Sequence, residues 1–313
     1  MRILRDLPTV EFVGFHDHNT ARAAEIAETL GVHAWDALPP LLEAVDALSV
    51  VVPTTAHHRV ALAALEAGRH VFVEKPITVT LEEADALVAA AARAGVVLQT
   101  GHVERFNRAV RAALPYVDRP RFIESDRMAP FTPRGADVAV VLDLMIHDID
   151  LVATLVGGAV TEVHAVGVPV LTRTVDIANA RLGFADGAVA NITASRVSRD
   201  RFRKLRIFQP SGYLSLDLGA GTGEFYRLRE ELDLAAMATA PQALENFVER
   251  VPLEAPDGEP LGLELGAFID AITGRAPVAV SGEDGRAALA VALRIVAEIE
   301  RTLPALRGDA RPR

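Results

Sequence analysis

Between residues 10 and 100, short apolar runs alternate with stripes of helical period. Residues 10–15 form an apolar-rich run that ends just before Asp17. Residues 20–30 place Ala23, Ile26, Ala27 and Leu30 on one helical face, with Gly31 as a natural stop. Residues 47–52 are a second apolar run, closed by Pro53, and residues 57–67 repeat the helical stripe with Val60, Ala61 and Ala64 before Gly68. A third run, 70–74, leads to Thr80 and Glu83, which have capping-box spacing at the start of a helix carrying Ala84, Leu87, Val88 and Ala91. Gly95 ends that helix, and residues 96–100 read as a strand. Strands this apolar are buried on both faces, and parallel strands need the crossover helices that this pattern supplies. The fold class predicted is α/β, a Rossmann-type doubly wound parallel sheet over residues 1–104.

Beyond residue 105 the rhythm changes to period two. Residues 121–127, 162–169, 177–184, 188–194, 204–208 and 213–218 read as strands, with turn signals at Asp186-Gly187 and Ser211-Gly212. One long helix, 136–156, interrupts them. Successive strands with short turns predict an α+β domain with a mostly antiparallel sheet over residues 105–307. Helices are expected at 261–273 and 284–303 within that domain, followed by a frayed tail at 308–313. Such a sheet leaves one face uncovered, which predicts a homodimer or homotetramer formed sheet to sheet.

The composition narrows the chemistry. Half of the 313 residues are apolar and about a quarter are charged, which suits a chain with a large core. The net charge of −10 disfavours a nucleic-acid partner. With no cysteine, disulfides, zinc–thiolate sites and cysteine nucleophiles are excluded, so Lys, His, Asp, Glu or a cofactor must do the work. No apolar run is long enough for a membrane helix, and residues 1–8 lack the apolar core of a signal peptide; a cytoplasmic location is expected.

Several residues stand where chemistry is done. Pro53, Thr54 and His57 follow the second run, and Glu74-Lys75-Pro76 follow the third, at the strand ends that form the ligand crevice of doubly wound sheets. Asp143, His147 and Asp150 are spaced four and three apart in an otherwise apolar helix. A buried acid–imidazole stripe is a satisfied network, a zinc or manganese site, or acid–base machinery; with two carboxylates and one histidine the ligand set is thin, and acid–base catalysis is preferred.

Glu74-Lys75-Pro76 after a strand, with Asp143, His147 and Asp150 on the helix of the second domain, resembles the Gfo/Idh/MocA oxidoreductases over nearly the whole chain. The stretches 101–107 (GHVERFN) and 141–151 (VLDLMIHDIDL) resemble the branch that oxidises the 3-hydroxyl of UDP-N-acetylglucosamine on the way to the 3-amino sugars of lipid A. The resemblance implies an NAD-dependent enzyme moving hydride from a sugar or nucleotide-sugar CH–OH group to nicotinamide. His147 would be the base, Asp143 its orienting partner and Lys75 a donor to the reacting oxygen. Glu74 would hold the nicotinamide ribose, and Pro53, Thr54 and His57 would line the cofactor. Asp150 is expected to pack. Arg105 and Asn107 are candidates for the substrate, with Arg134 and the basic run 196–206 (Arg196, Arg199, Arg201, Arg203, Lys204, Arg206) as weaker candidates for a pyrophosphate and stronger ones for a solvated or interface face.

Asp17, ending the first run, is placed to accept both adenosine ribose hydroxyls and to repel a 2′-phosphate, which favours NAD over NADP; His16 and His18 soften that repulsion. The family opens with a strand and a G-x-G-x-x-G turn, whereas here residues 1–7 read as the end of the helix that follows them. Gly219-Ala220-Gly221-Thr222-Gly223 is no substitute, since no βαβ unit follows it. An N-terminally truncated reading frame is therefore expected, and two other functions stand beside the enzyme: a non-catalytic dinucleotide- or sugar-binding regulator, and an inactive fragment lacking the phosphate loop. Weak dinucleotide binding is expected of this chain.

Overall fold

The computed structural model describes residues 1–133, 135, 137–229 and 247–307. They form two compact units, Met1–His102 with Glu259–Leu289, and Val103–Gly258 with Ala290 onward.

The first unit opens with helix α1 (Arg2–Asp6) and continues through α2 (Thr20–Leu30), capped by the Asn19 side chain and stopped by Gly31 in the left-handed region, and α3 (Leu38–Ala44). Strand β1 (Ala47–Val50), helix α4 (Thr54–Glu66), β2 (His70–Glu74), α5 (Leu81–Ala94) and β3 (Leu98–Gly101) follow. The Thr80–Glu83 capping box forms as the sequence predicts. The three strands pair in parallel in the order β1-β2-β3. Residues 71–73 of β2 and all of β3 are buried, while β1 is half-exposed at the sheet edge.

The strand expected at 10–15 is reduced to a single parallel bridge between Phe15 and Ala34. A lone pair of short strands is marginal without further neighbours, and no third strand joins this pair among the described residues. Gly14 is held here by need: a Cβ would stand 2.5 Å from the His33 carbonyl and 2.8 Å from the Trp35 ring nitrogen.

The second unit begins with a 3₁₀ turn at Val103–Phe106, helix α6 (Arg108–Ala113) and β4 (Phe122–Met128). The expected 136–156 helix is shorter among the described residues: the Val138 amide donates to the Gly135 carbonyl, a π-turn spans Val141–Met145, and α7 runs Ile146–Val156. Then come β5 (Val160–Val168), β6 (Ile177–Phe184), β7 (Val189–Ser195), β8 (Phe202–Gln209), β9 (Gly212–Asp217), β10 (Thr222–Leu228) and β11 (Val248–Pro252). The eight strands run in the order β11-β10-β9-β8-β4-β7-β6-β5, and only β4–β7 is parallel. Alternate residues such as Ile123, Ala180, Ile192 and Leu205 are buried, as period-two patterning requires. The 219–223 glycines make the β9–β10 turn, and Gly223 packs against Leu216 where a Cβ would clash.

Helix α8 (Pro260–Ile272) and the long helix α9 (Gly282–Arg307) complete the fold. The sequence assigns α8 to the second domain; it belongs instead to the first unit, because Leu265 and Phe268 bury against Phe72 with Ile3 and Leu4 of α1 packed alongside. The first crossing also lies at His102 rather than residue 104, and the chain crosses again within α9. The predicted tail 308–313 lies outside the described residues. No described helix is long and apolar enough to cross a membrane.

Candidate active site

In the first unit, β1, β2 and β3 end side by side at Val50, Glu74 and Gly101. The turn after β2 carries Glu74, Lys75 and the cis Lys75–Pro76 peptide. The Glu74 carboxylate accepts from the Lys75 amide at 3.3 Å. Burial pushes its pKa up, partly offset by that amide and by the Lys75 charge. Gly101, its register partner, leaves the room it needs: a Cβ there would lie 3.1 Å from Glu74 Oε2 and 3.0 Å from the Phe72 ring. Nothing in the spacing of the sequence singles out this glycine.

His57 has a different place from the one expected. It is buried, its Nδ1 lies 2.8 Å from the Pro76 carbonyl and its Nε2 lies 2.9 Å from the Val52 carbonyl. Burial holds its pKa below the ordinary histidine value. With both nitrogens turned to protein carbonyls, His57 ties the ends of β1 and β2 together rather than offering a polar edge to a ligand. Pro53 is the N-cap of α4 and Thr54 its first residue, so no side chain caps that helix. Asp17 is partly exposed, accepts from the Asn19 amide at 2.9 Å, and has His18 at 3.4 Å and Arg22 at 3.9 Å. Arg22 was not among the residues the sequence pointed to, although its place in the first turn of α2 puts it near any group on Asp17.

In the second unit the expected one-face stripe divides in two. Asp143 sits in the π-turn and His147 in the first turn of α7, both partly exposed, while Asp150 is buried. A π-turn winds wider than an α-turn, so regular spacing is lost at Asp143; such turns are frequent at functional sites. Gly135, with φ at 76°, lies against the Asp143 carboxylate.

Arg105 and Asn107 are engaged in the fold. Arg105 Nε and Nη2 donate to the two Asp150 oxygens at 2.8 and 2.6 Å. Asn107 caps α6 by accepting from the Ala109 amide, and its amide nitrogen donates to Glu104 and to the Leu218 carbonyl. Beneath lies a charge network that the sequence did not reveal: Arg127 donates to both oxygens of Asp148 and to Glu104, which also accepts from Arg203. Arg127 and Arg203 hold the Glu104 carboxyl below the ordinary range against the cost of its burial. Arg127 occupies an inward strand position, so the period-two pattern of β4 contained a usable signal.

The basic run is mostly spoken for. Arg203, Lys204 and Arg206 pair with Glu104, Asp217 and Glu124, and Arg196 is buried. Arg199 and Arg201 are exposed, and Arg134 lies outside the described residues. Among the described residues no group of three His, Asp or Glu side chains has metal-holding geometry.

Two family models match the chain. An NAD-binding Rossmann oxidoreductase model covers residues 1–102 and a GFO/IDH/MocA C-terminal domain model covers residues 108–215. The chain is 39% identical over 295 residues to UDP-N-acetylglucosamine 3-dehydrogenase of Acidithiobacillus ferrooxidans, covering 93% of this chain and 90% of that protein. A crystal form of that enzyme superposes with a TM-score of 0.84, 37% identity, and coverage of 93% and 90%. Myo-inositol 2-dehydrogenase of Thermotoga maritima is 28% identical over 290 residues, covering 86% and 82%. A Rossmann-type unit with β2 ending in Glu74-Lys75-Pro76, a largely antiparallel second sheet, and these matches together establish that the chain belongs to the Gfo/Idh/MocA family of oxidoreductases.

Proposed function

We propose that this protein oxidises a hydroxyl of a nucleotide sugar with NAD, the 3-hydroxyl of UDP-N-acetylglucosamine being the first substrate to try. The observation that carries this reading is the 39% identity spread over 93% of the chain to an enzyme of that name. The lipid A setting of such a reaction rests on the same likeness.

The described residues suit a nicotinamide dinucleotide at its two ribose ends. Asp17 offers a carboxylate at the end of the first run, and the room beside Gly101 keeps the Glu74 carboxylate at the strand ends. A glycine-rich phosphate turn is not among the described residues. The fit is therefore to the riboses. Asp17 favours NAD; Arg22 and His18 beside it work against that preference.

Bound nicotinamide would supply the hydride acceptor. His147 would take the hydroxyl proton, a task suited to an imidazole. Asp143 would orient that imidazole, and Lys75 would donate to the same substrate oxygen as charge develops on it. Arg105, Asn107 and Asp150 would support the site through the fold. His57 would hold the turn that presents Lys75 and Glu74 rather than touch the cofactor.

The uncovered face of the second sheet supports self-association. Phe122, Phe208, Tyr213 and Tyr226 stack in one cross-strand row on it, with ring centroids 4.7–5.6 Å apart. Val166 and Val168 of β5 stand exposed on the same face. A homodimer or larger assembly through this face is the reading adopted. Turnover separates the enzyme from a non-catalytic binder: substrate-dependent reduction of NAD is expected, and binding of both ligands without reduction would favour the binder.

A further inference from the structure

We propose that Arg196 is a positioning residue for Asp143, acting through the backbone of Gly135 and Val138. The inference rests on the proposed role of Asp143 in the reaction. Arg196 follows β7 directly and is 5% exposed. Its Nη1 donates to the Gly135 carbonyl at 2.6 Å, its Nη2 donates to the Val138 carbonyl, and its Nε faces Asp176 Oδ1 at 3.9 Å. One planar fork thus grips two carbonyls of the segment that leads into the π-turn.

The fork is itself held. Asp176 is fully buried, and its Oδ2 accepts from the amides of Val170, Leu171 and Thr172 at 2.8, 2.7 and 2.8 Å, while Oδ1 accepts from the Thr172 hydroxyl at 2.8 Å. Those donors fix the carboxylate and keep it charged. It is the charged partner of a buried guanidinium whose other contacts are neutral carbonyls, and burying that cation without a partner would be costly. The Arg196 amide also donates to the Asp176 carbonyl at 3.0 Å, so the two residues are tied by backbone as well as by charge.

The grip reaches Asp143 by contact. A Cβ on Gly135 would stand 3.1 Å from Asp143 Oδ2, so the Gly135 backbone forms one wall against that carboxylate. Displacing this wall displaces the carboxylate. A lysine at position 196 has a single compact head and cannot hold two carbonyls and Asp176 at once.

The test compares the full chain with Arg196→Lys, Gly135→Ala, Asp143→Asn and the Arg196→Lys/Asp143→Asn double variant, by steady-state kinetics and amide hydrogen exchange. Gly135→Ala leaves Arg196 and Asp176 intact and attacks the same wall from the other side. The expected result is a fall in kcat of about tenfold or more for each single variant, with the KM for dinucleotide unchanged. Arg196→Lys should cost little further in the Asp143→Asn background, a coupling that a purely structural role would not produce. Exchange should quicken at amides 138–143 and stay unchanged in β6 and β7. Unchanged exchange at 138–143, or losses that simply add, would overturn the clamp. Full turnover in Asp143→Asn, or none in the parent chain, would instead overturn the proposed function, and the exchange pattern would still decide whether the clamp exists.

Discussion

Arg105 and Asp150 face each other as a two-pronged ion pair, Nε to Oδ2 at 2.8 Å and Nη2 to Oδ1 at 2.6 Å, with the Asp150 side chain only 2% exposed. The pair joins the 3₁₀ turn at Val103–Phe106 to α7, one turn beyond His147. Removing one partner takes a two-pronged contact away from a buried charge. Arg105→Ala and Asp150→Asn are each expected to cost about 3–5 kcal/mol of stability. Replacing both with apolar residues of similar volume should cost less than either alone. Urea unfolding of the three variants checks this; a double variant as weak as the sum of the singles would show that the pair does not act as a unit.

On the proposed function, cofactor choice would be set near Asp17. Its carboxylate is the group that would accept the ribose hydroxyls, with Arg22 3.9 Å away and His18 3.4 Å away. Asp17→Ala removes the acceptor and leaves the Arg22 guanidinium to meet a 2′-phosphate. Loss of a hydrogen bond to a charged group is worth about 1.5–3 kcal/mol, so the ratio of kcat/KM for NAD over NADP should fall by roughly 10- to 150-fold. Rates with both dinucleotides decide it, and an unchanged ratio would remove Asp17 from the ribose.

Glu74 gives a pH dependence with a definite sign. Its folded pKa lies above its ordinary value because of burial. Between those two values the folded state keeps a proton that the unfolded state has lost. The contribution of Glu74 is therefore most favourable below the unfolded pKa and declines as pH rises through the folded one. Glu74→Gln should raise the urea midpoint more near pH 8 than near pH 4, while weakening dinucleotide binding. A larger gain at the acid end would reverse the sign and refute the assignment.

The open sheet face makes a further claim. Val166 and Val168 are exposed by 49% and 43% and lie on the face that carries the aromatic row. Substituting both with Asp costs little in a lone subunit. If this face joins subunits, sedimentation velocity should show the parent chain as an oligomer and the variant as a monomer. Equal sedimentation coefficients would place any interface elsewhere.

What could be read from the sequence followed from regular period and strong punctuation. β2, β3 and the Thr80–Glu83 cap were legible because burial on both faces writes a continuous apolar run and a capping box has fixed spacing. The strand at 10–15 has the same apolar signature, yet strand formation depends on neighbours, and here only the Phe15–Ala34 bridge forms. The α8 helix was seen but assigned to the wrong unit, since an amphipathic stripe states that it needs a partner and not which one. Lys75, Asp143 and His147 stand out in the sequence by motif and position, and their roles rest on the proposed function. The partners of Arg127, Arg196 and Gly101 were not legible, even though the β4 pattern marks Arg127 as inward and Arg196 belongs to the basic run, because they come from contacts across distant strands, turns and helices: Arg127 with Asp148, Arg196 with Gly135, and Gly101 beside Glu74.

The most direct test of the whole account is the appearance of reduced nicotinamide when the chain is mixed with UDP-N-acetylglucosamine and millimolar NAD, a concentration at which a raised KM for the dinucleotide does not mask kcat. The account predicts substrate-dependent reduction in the parent chain, and a fall of about 100-fold or more in both Lys75→Met and His147→Asn with the fold retained by circular dichroism. Reduction at the parent rate in either folded variant, or no reduction in the parent with any sugar nucleotide, would contradict it.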